Sequence, residues 1–260
     1  MTTMGIYAEQ DGGVLTIKLD RPKVNAFDLP MVDTLLAALA TAEKDDSVRC
    51  VVLTGSGRIF SAGQDIRGIQ EAGEEIPYRG HLERTYNQVI RKLRAIEKPV
   101  IGAINGPAAG AGLGIALATD IRWASESASF TFGFTRIGLA ADSGTSIFLP
   151  MILGLSMASE FAFDGRTLAA EEAFRHGLVS RVFPDSELRQ EAHEYATKLA
   201  AGPTRAIGLT KRAFNRTALK SLDEALSYEA ILQEIAGRTA DHKEGVAAFL
   251  EKRPPSFSGA

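Results

Sequence analysis

The chain has 260 residues, 45% of them hydrophobic and 23% charged, with a formal net charge of −3. This composition excludes a disordered polypeptide, and the length excludes a small disulfide-stapled scaffold, because a chain this long buries a core of its own. With Lys+Arg at 29 against Asp+Glu at 32 and no long run of one sign, it carries no electrostatic footprint for wrapping a nucleic-acid backbone.

Residues 1–5 lack the basic stretch and apolar run of a secretory leader, and no segment reaches about 18 uninterrupted apolar residues, so a cytoplasmic protein that spans no membrane is expected. In chain order, Leu15, Ile17 and Leu19 alternate with Thr16 and Lys18, the period of a half-buried strand. Asp28 then caps a helix with Pro30 in its first turn and Leu35, Leu36, Leu39 and Ala42 on one face. Val48 to Thr54 is a buried strand that holds the single cysteine, Cys50, as an inert thiol. His81 to Ile96 reads as one helix, Pro99 to Ile104 as a strand, Gly110 to Thr119 as a helix and Asp120 to Ala124 as a strand. Such interleaving implies an α/β body with parallel pairing.

Beyond residue 143 helical patterns dominate, and only Leu178 to Phe183 reads as a strand. His176-Gly177 has the character of a helix C-terminus. Ser221 to Glu224 spells a capping box, and Pro254-Pro255 ends the last helix. Gly202-Pro203 marks the best boundary, between an α/β body over residues 1–200 and a helical region over 201–260.

Two loops after buried strands carry the chemistry: Phe60 to Ile66, and Asn105 to Gly112. Their small residues let a ligand approach the main chain, and a helix that starts near Ala111 offers unpaired N–H groups to an oxyanion. Taken singly, each glycine loop is better explained as a plain tight turn. Other chemistries lack their patterns: Ile115 stands where a dinucleotide fingerprint needs glycine, there is no P-loop Gly-Lys-Ser/Thr, and Ser143 lacks the first glycine of a nucleophile elbow. Of the four histidines, His81, His176, His193 and His242, no two have the spacing of a helical metal pair, so no metal site is expected.

Those two loops, with Asp20 to Ala26 before them and Phe249 to Arg253 at the end, together resemble the enoyl-CoA hydratase/isomerase (crotonase) family over essentially the whole chain. The resemblance implies a ClpP-like spiral of strand-strand-helix units with a helical C-terminal region, assembled as homotrimers or dimers of trimers. It also implies an acyl-CoA substrate, with coenzyme A entering as part of the thioester and no permanently bound cofactor. The backbone amides of Gln64 and Ala111 match the positions that clasp the thioester oxygen. Lys23, Val24, Ala62, Asp65, Ile66 and Arg67 match the coenzyme A contacts, joined by Phe249 and Lys252 from the helical end of this or a neighbouring subunit.

The two glutamates of the family's hydratases are matched by Gly114 and Phe134, neither of which exchanges a proton. The resemblance makes Asp142 the carboxylate placed to replace them; the residues alone favour the plainer role of N-cap for a helix over Ser143 to Leu153. Its segment, and the ending Ala236 to Val246, are similar to 1,2-epoxyphenylacetyl-CoA isomerase-like members, in which a single aspartate moves the proton, and a double-bond or ring isomerase is expected. The segment also resembles 4-chlorobenzoyl-CoA dehalogenases, whose aspartate is a nucleophile; the place of their histidine base holds Asn87, and His81 on a continuous helix points elsewhere. Members without acid–base residues that serve as coenzyme A- or RNA-binding assembly proteins form a third alternative. Tyr86, Phe132 and Phe134, with Asn87 and Gly114, are the expected pocket lining.

Overall fold

The computed structural model describes residues 2–3, 5–72 and 77–259. A seven-stranded sheet runs in the order β1 (Thr2–Thr3), β2 (Ile6–Asp11), β3 (Val14–Leu19), β4 (Cys50–Gly55), β5 (Val100–Ile104), β7 (Ile121–Ser125), β10 (Arg181–Phe183). The first three strands pair antiparallel, and the pairings from β3 to β10 are parallel. A second sheet joins β6 (Ala108–Ala109), β8 (Ser129–Thr131) and β9 (Thr167–Ala169).

The strand β4 shows why the body is layered. All six of its residues are buried, and alternation sends Val51 and Leu53 into the main core while Cys50 and Val52 enter a second one. That second core is closed by α9 (Leu188–Ala201), whose Leu188, Ala192, Ala196 and Ala200 recur every four residues as one stripe. Cys50 is fully buried there, and burial pushes its thiol up to about 12, in keeping with an inert role. On the other face, α1 (Leu29–Lys44) buries Met31, Val32, Leu35, Leu39 and Ala42. The side chain of Asp28 accepts from the amide of Met31 and starts that helix as the sequence indicates.

Three local expectations are corrected. The helix expected over His81 to Ile96 is two, α3 (Tyr78–Arg84) and α4 (Tyr86–Ala95), parted at Thr85, whose φ of −114° and ψ of −99° no helix tolerates. The capping box does not form: α11 (Leu222–Ala236) starts where expected, but Ser221 sits at φ −100° and ψ 14° and its side chain makes no cap bond. The strands after residue 143 include β9 as well as β10, because three residues paired to β8 leave no readable period. His176 and Gly177 do end α8 (Ala170–Arg175), with Gly177 at φ 75°. Among the described residues no helix is long and apolar enough to cross a membrane.

Candidate active site

Parallel neighbours β4 and β5 end side by side, with Thr54 opposite Ala103, so the loops that follow them leave the sheet together. Asn105 joins them: its Oδ1 accepts from the Gly55 amide at 2.8 Å and its Nδ2 donates to the Gly57 carbonyl at 3.0 Å. Asn25, buried at φ 48°, donates to the Ile59 carbonyl at 2.8 Å and ties in the segment before α1. Further along, the Ala109 amide donates to the Ser61 carbonyl, and the Ser61 hydroxyl donates to the Asn25 carbonyl. Neither asparagine was singled out from the sequence beyond its place in a motif.

The two loops touch at their glycines. Gly63 lies at φ 83°, and a methyl group on it would stand 3.1 Å from the Ala111 nitrogen and 2.8 Å from the Ala109 carbonyl oxygen. Gly110, at φ 52°, turns the chain into α5 (Ala111–Leu117). Only residues without a Cβ permit both features. Around Gln64, the Phe27 amide donates to the Gly63 carbonyl and the Asp65 amide to the Phe27 carbonyl. The amides of Gln64 and Ala111 find no acceptor among the described residues, the second being the first N–H of a helix.

The expected coenzyme A residues divide into two sets. The Ala62 amide donates to the Val24 carbonyl at 3.0 Å, which brings the exposed Lys23–Val24 turn against the 61–67 loop. Asp65 is engaged: it receives Arg21 at 2.8 Å and the Gly68 amide at 3.1 Å in the first turn of α2 (Ile66–Ala72), beside Ile66 and exposed Arg67. Phe249 and Lys252 lie instead on and just after α12 (Ala240–Glu251), which packs on the 3-10 turn Thr135–Ile137. Phe249 lines a groove there with Arg136, Phe163 and Phe257.

Asp142 is 6% exposed and lies in the turn Asp142-Ser143-Gly144, where Ser143 and Gly144 both have left-handed backbone, φ 56° and 78°. The N-cap alternative is overturned: α6 (Thr145–Leu153) starts after Gly144 without a side-chain cap from Asp142. Its first turn is held from across the core by Glu229 of α11, whose two oxygens accept from the amides of Gly144 and Ser146, each at 2.8 Å. With a carboxylate already on that helix end, the Asp142 side chain turns to other donors. Ser143 Oγ donates to its Oδ1 and Gln233 Nε2 to its Oδ2, both at 2.6 Å.

Burial is the main force on this group and raises the Asp142 carboxyl to about 7; the Ser143 and Gln233 bonds pull it down, and the Glu229 charge raises it again. A carboxyl raised on folding favours the folded state in its protonated form. That stability is complete below the usual 3.8 and is lost as pH rises towards about 7. Asparagine copies the protonated carboxyl, because its oxygen still accepts from Gln233 while its NH2 donates to Ser143 Oγ. Thermal unfolding of Asp142→Asn against the parent is therefore expected to show no difference near pH 4 and a gain of about 2–4 kcal/mol at pH 8. A constant difference across that range would contradict the shift.

Gly114, one turn into α5, receives this turn directly: a Cβ there would lie 2.5 Å from the Ser143 carbonyl oxygen. Ser143, next to Asp142, thereby packs on the helix that begins with the Ala111 amide. Phe134 closes the other side, 3.7 Å from a Cβ position on Gly110 and edge-on to Phe132 with ring centroids 4.9 Å apart. Tyr86 is buried behind the first loop, edge-on to Phe27 at 6.0 Å. Burial, then the charge of Asp142, raises the Tyr86 hydroxyl well above its usual range.

Asn87 is fully buried, its Nδ2 donating to the Leu226 carbonyl at 3.1 Å. The His81 ring meets Tyr86 edge-on at 5.9 Å, and burial, then Arg84, lowers it to about 4. Among the described residues no group of three or more His, Cys, Asp or Glu is arranged to hold a metal.

Gln233 and Glu229 were missed in the sequence. Their signal was there: with Leu222, Leu226 and Ala230 they occupy the buried stripe of α11, where a polar side chain needs a partner.

Comparison with known proteins places this geometry. The family model described as enoyl-CoA hydratase/isomerase matches residues 9–260. The chain is 41% identical over 257 residues to 1,2-epoxyphenylacetyl-CoA isomerase of Escherichia coli (strain K12), covering 98% of each. It is 39% identical over 227 residues to 4-chlorobenzoyl coenzyme A dehalogenase-2 of Arthrobacter sp, covering 86% of this chain and 82% of that one. The crystal structure of an enoyl-CoA hydratase from Mycobacterium avium subsp. paratuberculosis K-10 superposes with a TM-score of 0.88 at 34% identity, covering 98% of both chains. The fold is thus the expected α/β spiral with a helical C-terminal region.

Proposed function

The chain belongs to the enoyl-CoA hydratase/isomerase family, and on that premise we propose that it is an isomerase that shifts a double bond or ring in an acyl-CoA thioester with Asp142 as its only proton carrier. The amides of Gln64 and Ala111 bind the thioester oxygen. Asp142 removes a proton from one carbon, the amides hold the charge of the resulting dienolate, and Asp142 returns the proton to another carbon. Donors fixed before reaction stabilise the developing oxyanion without reorganising, and each is worth about 3 kcal/mol in such sites.

The observation that carries this reading is the Asp142 carboxyl: buried, raised to about 7, and in the turn whose Ser143 packs on the helix that supplies the Ala111 amide. A group with that pKa takes and gives a proton about equally well at neutral pH. The nearby Glu229 is not a second shuttle, since both of its oxygens are bound to backbone amides. Hydration needs an acid and a base, and Gly114 and Phe134 supply neither.

A hydrolytic dehalogenase reading would use Asp142 as an ionised nucleophile with a histidine to activate water. Asn87, at the place of that histidine, is bound to a backbone carbonyl, which supports the isomerase over this reading; the ring of His81 lies edge-on to Tyr86. The Lys23–Val24 turn, Ala62, Ile66 and Arg67 receive the coenzyme A part, joined by Phe249 and Lys252 of the same or a neighbouring copy. Assembly into trimers or dimers of trimers is supported by large apolar side chains left exposed on one chain, among them Leu155, Phe163, Phe214 and Ile235.

A panel of enoyl-, epoxy- and halobenzoyl-CoA substrates in deuterated water tests the reaction. Isomerisation predicts a product isomeric with the substrate, with no net gain of water and with deuterium only to the extent that the proton on Asp142 exchanges with solvent before its return. Hydroxyacyl-CoA or released halide would overturn it, and RNA binding without turnover of any thioester would point to a silent assembly protein.

A further inference from the structure

The amide of Gln233 has a fixed orientation. The atom facing the Ala140 amide, at 2.9 Å, must be the oxygen, because a backbone N–H only donates. The atom facing Asp142 Oδ2, at 2.6 Å, is therefore the NH2 group, and it cannot reverse. Ser143 Oγ, on Oδ1, is a hydroxyl and can either donate or accept. The two carboxylate oxygens are thus unequal: one always receives hydrogen, and the other is free to carry it.

We propose that Gln233 is a positioning residue for the reaction, locking Asp142 Oδ2 as an acceptor so that the moving proton resides on Oδ1. The proposal rests on the reading of Asp142 as the proton carrier. Gln233 is fully buried and comes from α11, the same helix that holds the next turn through Glu229, so one rigid element sets both the carboxyl's rotation and the seat beneath it. Among the titratable groups around it, Glu229 from α11 raises this carboxyl, while the charge of Asp142 in turn raises the hydroxyls of Tyr78 from α3 and Tyr86 from α4. Gln233 opposes burial and the Glu229 charge by favouring the carboxylate.

Gln233→Met and Gln233→Glu test this. Methionine removes a donor to the charged form, so kcat should fall about tenfold or more with KM within about twofold, and the acidic limb of the kcat profile should move up by about one pH unit. Glutamic acid keeps a donor only while the pair shares a proton, so activity should persist at lower pH and fall along a new basic limb. The carboxyl titration of Asp142, followed by carbon-13 NMR and assigned with Asp142→Asn, should move upward with the methionine variant.

A folded methionine variant with parental limb, kcat and Asp142 titration would overturn the proposal. Should the methionine variant fail to fold, a glutamate variant without the new basic limb overturns it instead. The NMR titration reads the effect of Gln233 on the carboxyl even if Asp142→Asn proves active, so failure of the shuttle reading and failure of the positioning role remain distinguishable.

Discussion

Asp142→Asn is expected to lower kcat by about 10³-fold or more while the affinity for an unreactive acyl-CoA analogue stays within a few-fold of the parent. General acid–base catalysis is commonly worth about 10²–10⁴-fold, and among the described residues no second carboxyl in this site is free to take the role, because Glu229 is committed to the amides of Gly144 and Ser146. The substitution is gentle, since asparagine satisfies both Gln233 and Ser143. Single-turnover kinetics and calorimetric binding separate the two effects. Near-parental kcat would remove Asp142 from the chemistry, and loss of binding with the same loss of turnover would assign it to substrate recognition.

The second large effect concerns Gly114. From the family resemblance, placing glutamates at Gly114 and Phe134 is the obvious way to build a hydratase. The geometry predicts the opposite. A side chain at residue 114 has its Cβ within 2.5 Å of the Ser143 carbonyl, which Asp142-Ser143-Gly144 must occupy for Asp142 to stand where it does. Gly114→Glu therefore expels that turn or buries an unpaired charge, a loss of about 3 kcal/mol or more, equivalent to roughly 10 °C in Tm for a chain of this size. Even Gly114→Ala should lose stability and turnover together. Differential scanning calorimetry checks this, and a Gly114→Glu variant as stable as the parent would contradict the packing. The glycine and the aspartate form one structural choice: the turn that presents Asp142 uses the space in which a glutamate would stand.

Much of the frame was legible because it rests on local signals. The alternation of Leu15, Ile17 and Leu19, the Asp28 cap and the run at Val51 to Leu53 each state their structure over a few residues. The glycine loops were legible as turns, and the two loops together with Asp20 to Ala26 and Phe249 to Arg253 pointed to the family. What was not legible depends on partners distant in sequence. Nothing at Thr85 announces the break between α3 and α4, since threonine is tolerated in helices and the apolar spacing continues through it. Ser221 and Glu224 have the right spacing for a capping box, yet the chain enters α11 from Leu219, whose carbonyl accepts from the Leu222 amide, and the serine side chain is not used.

The site repeats this lesson in chemical form. Asp142 followed by a helix reads as an N-cap, and only α11, some 90 residues later, reveals that Glu229 already fills that position and that Gln233 claims the carboxylate. The protonation behaviour of Asp142 was equally hidden, because burial dominates it and Gln233 and Glu229 act on it from across the fold, with only the Ser143 bond coming from a neighbour in the chain.

The most direct measurement is a crystal structure of Asp142→Asn with an intact enoyl-CoA substrate. The account predicts the thioester oxygen about 2.7–3.1 Å from both the Gln64 and Ala111 nitrogens, with the residue 142 side chain against the carbon that loses its proton. A thioester oxygen turned away from those two amides, or residue 142 walled off from the acyl chain, would contradict it.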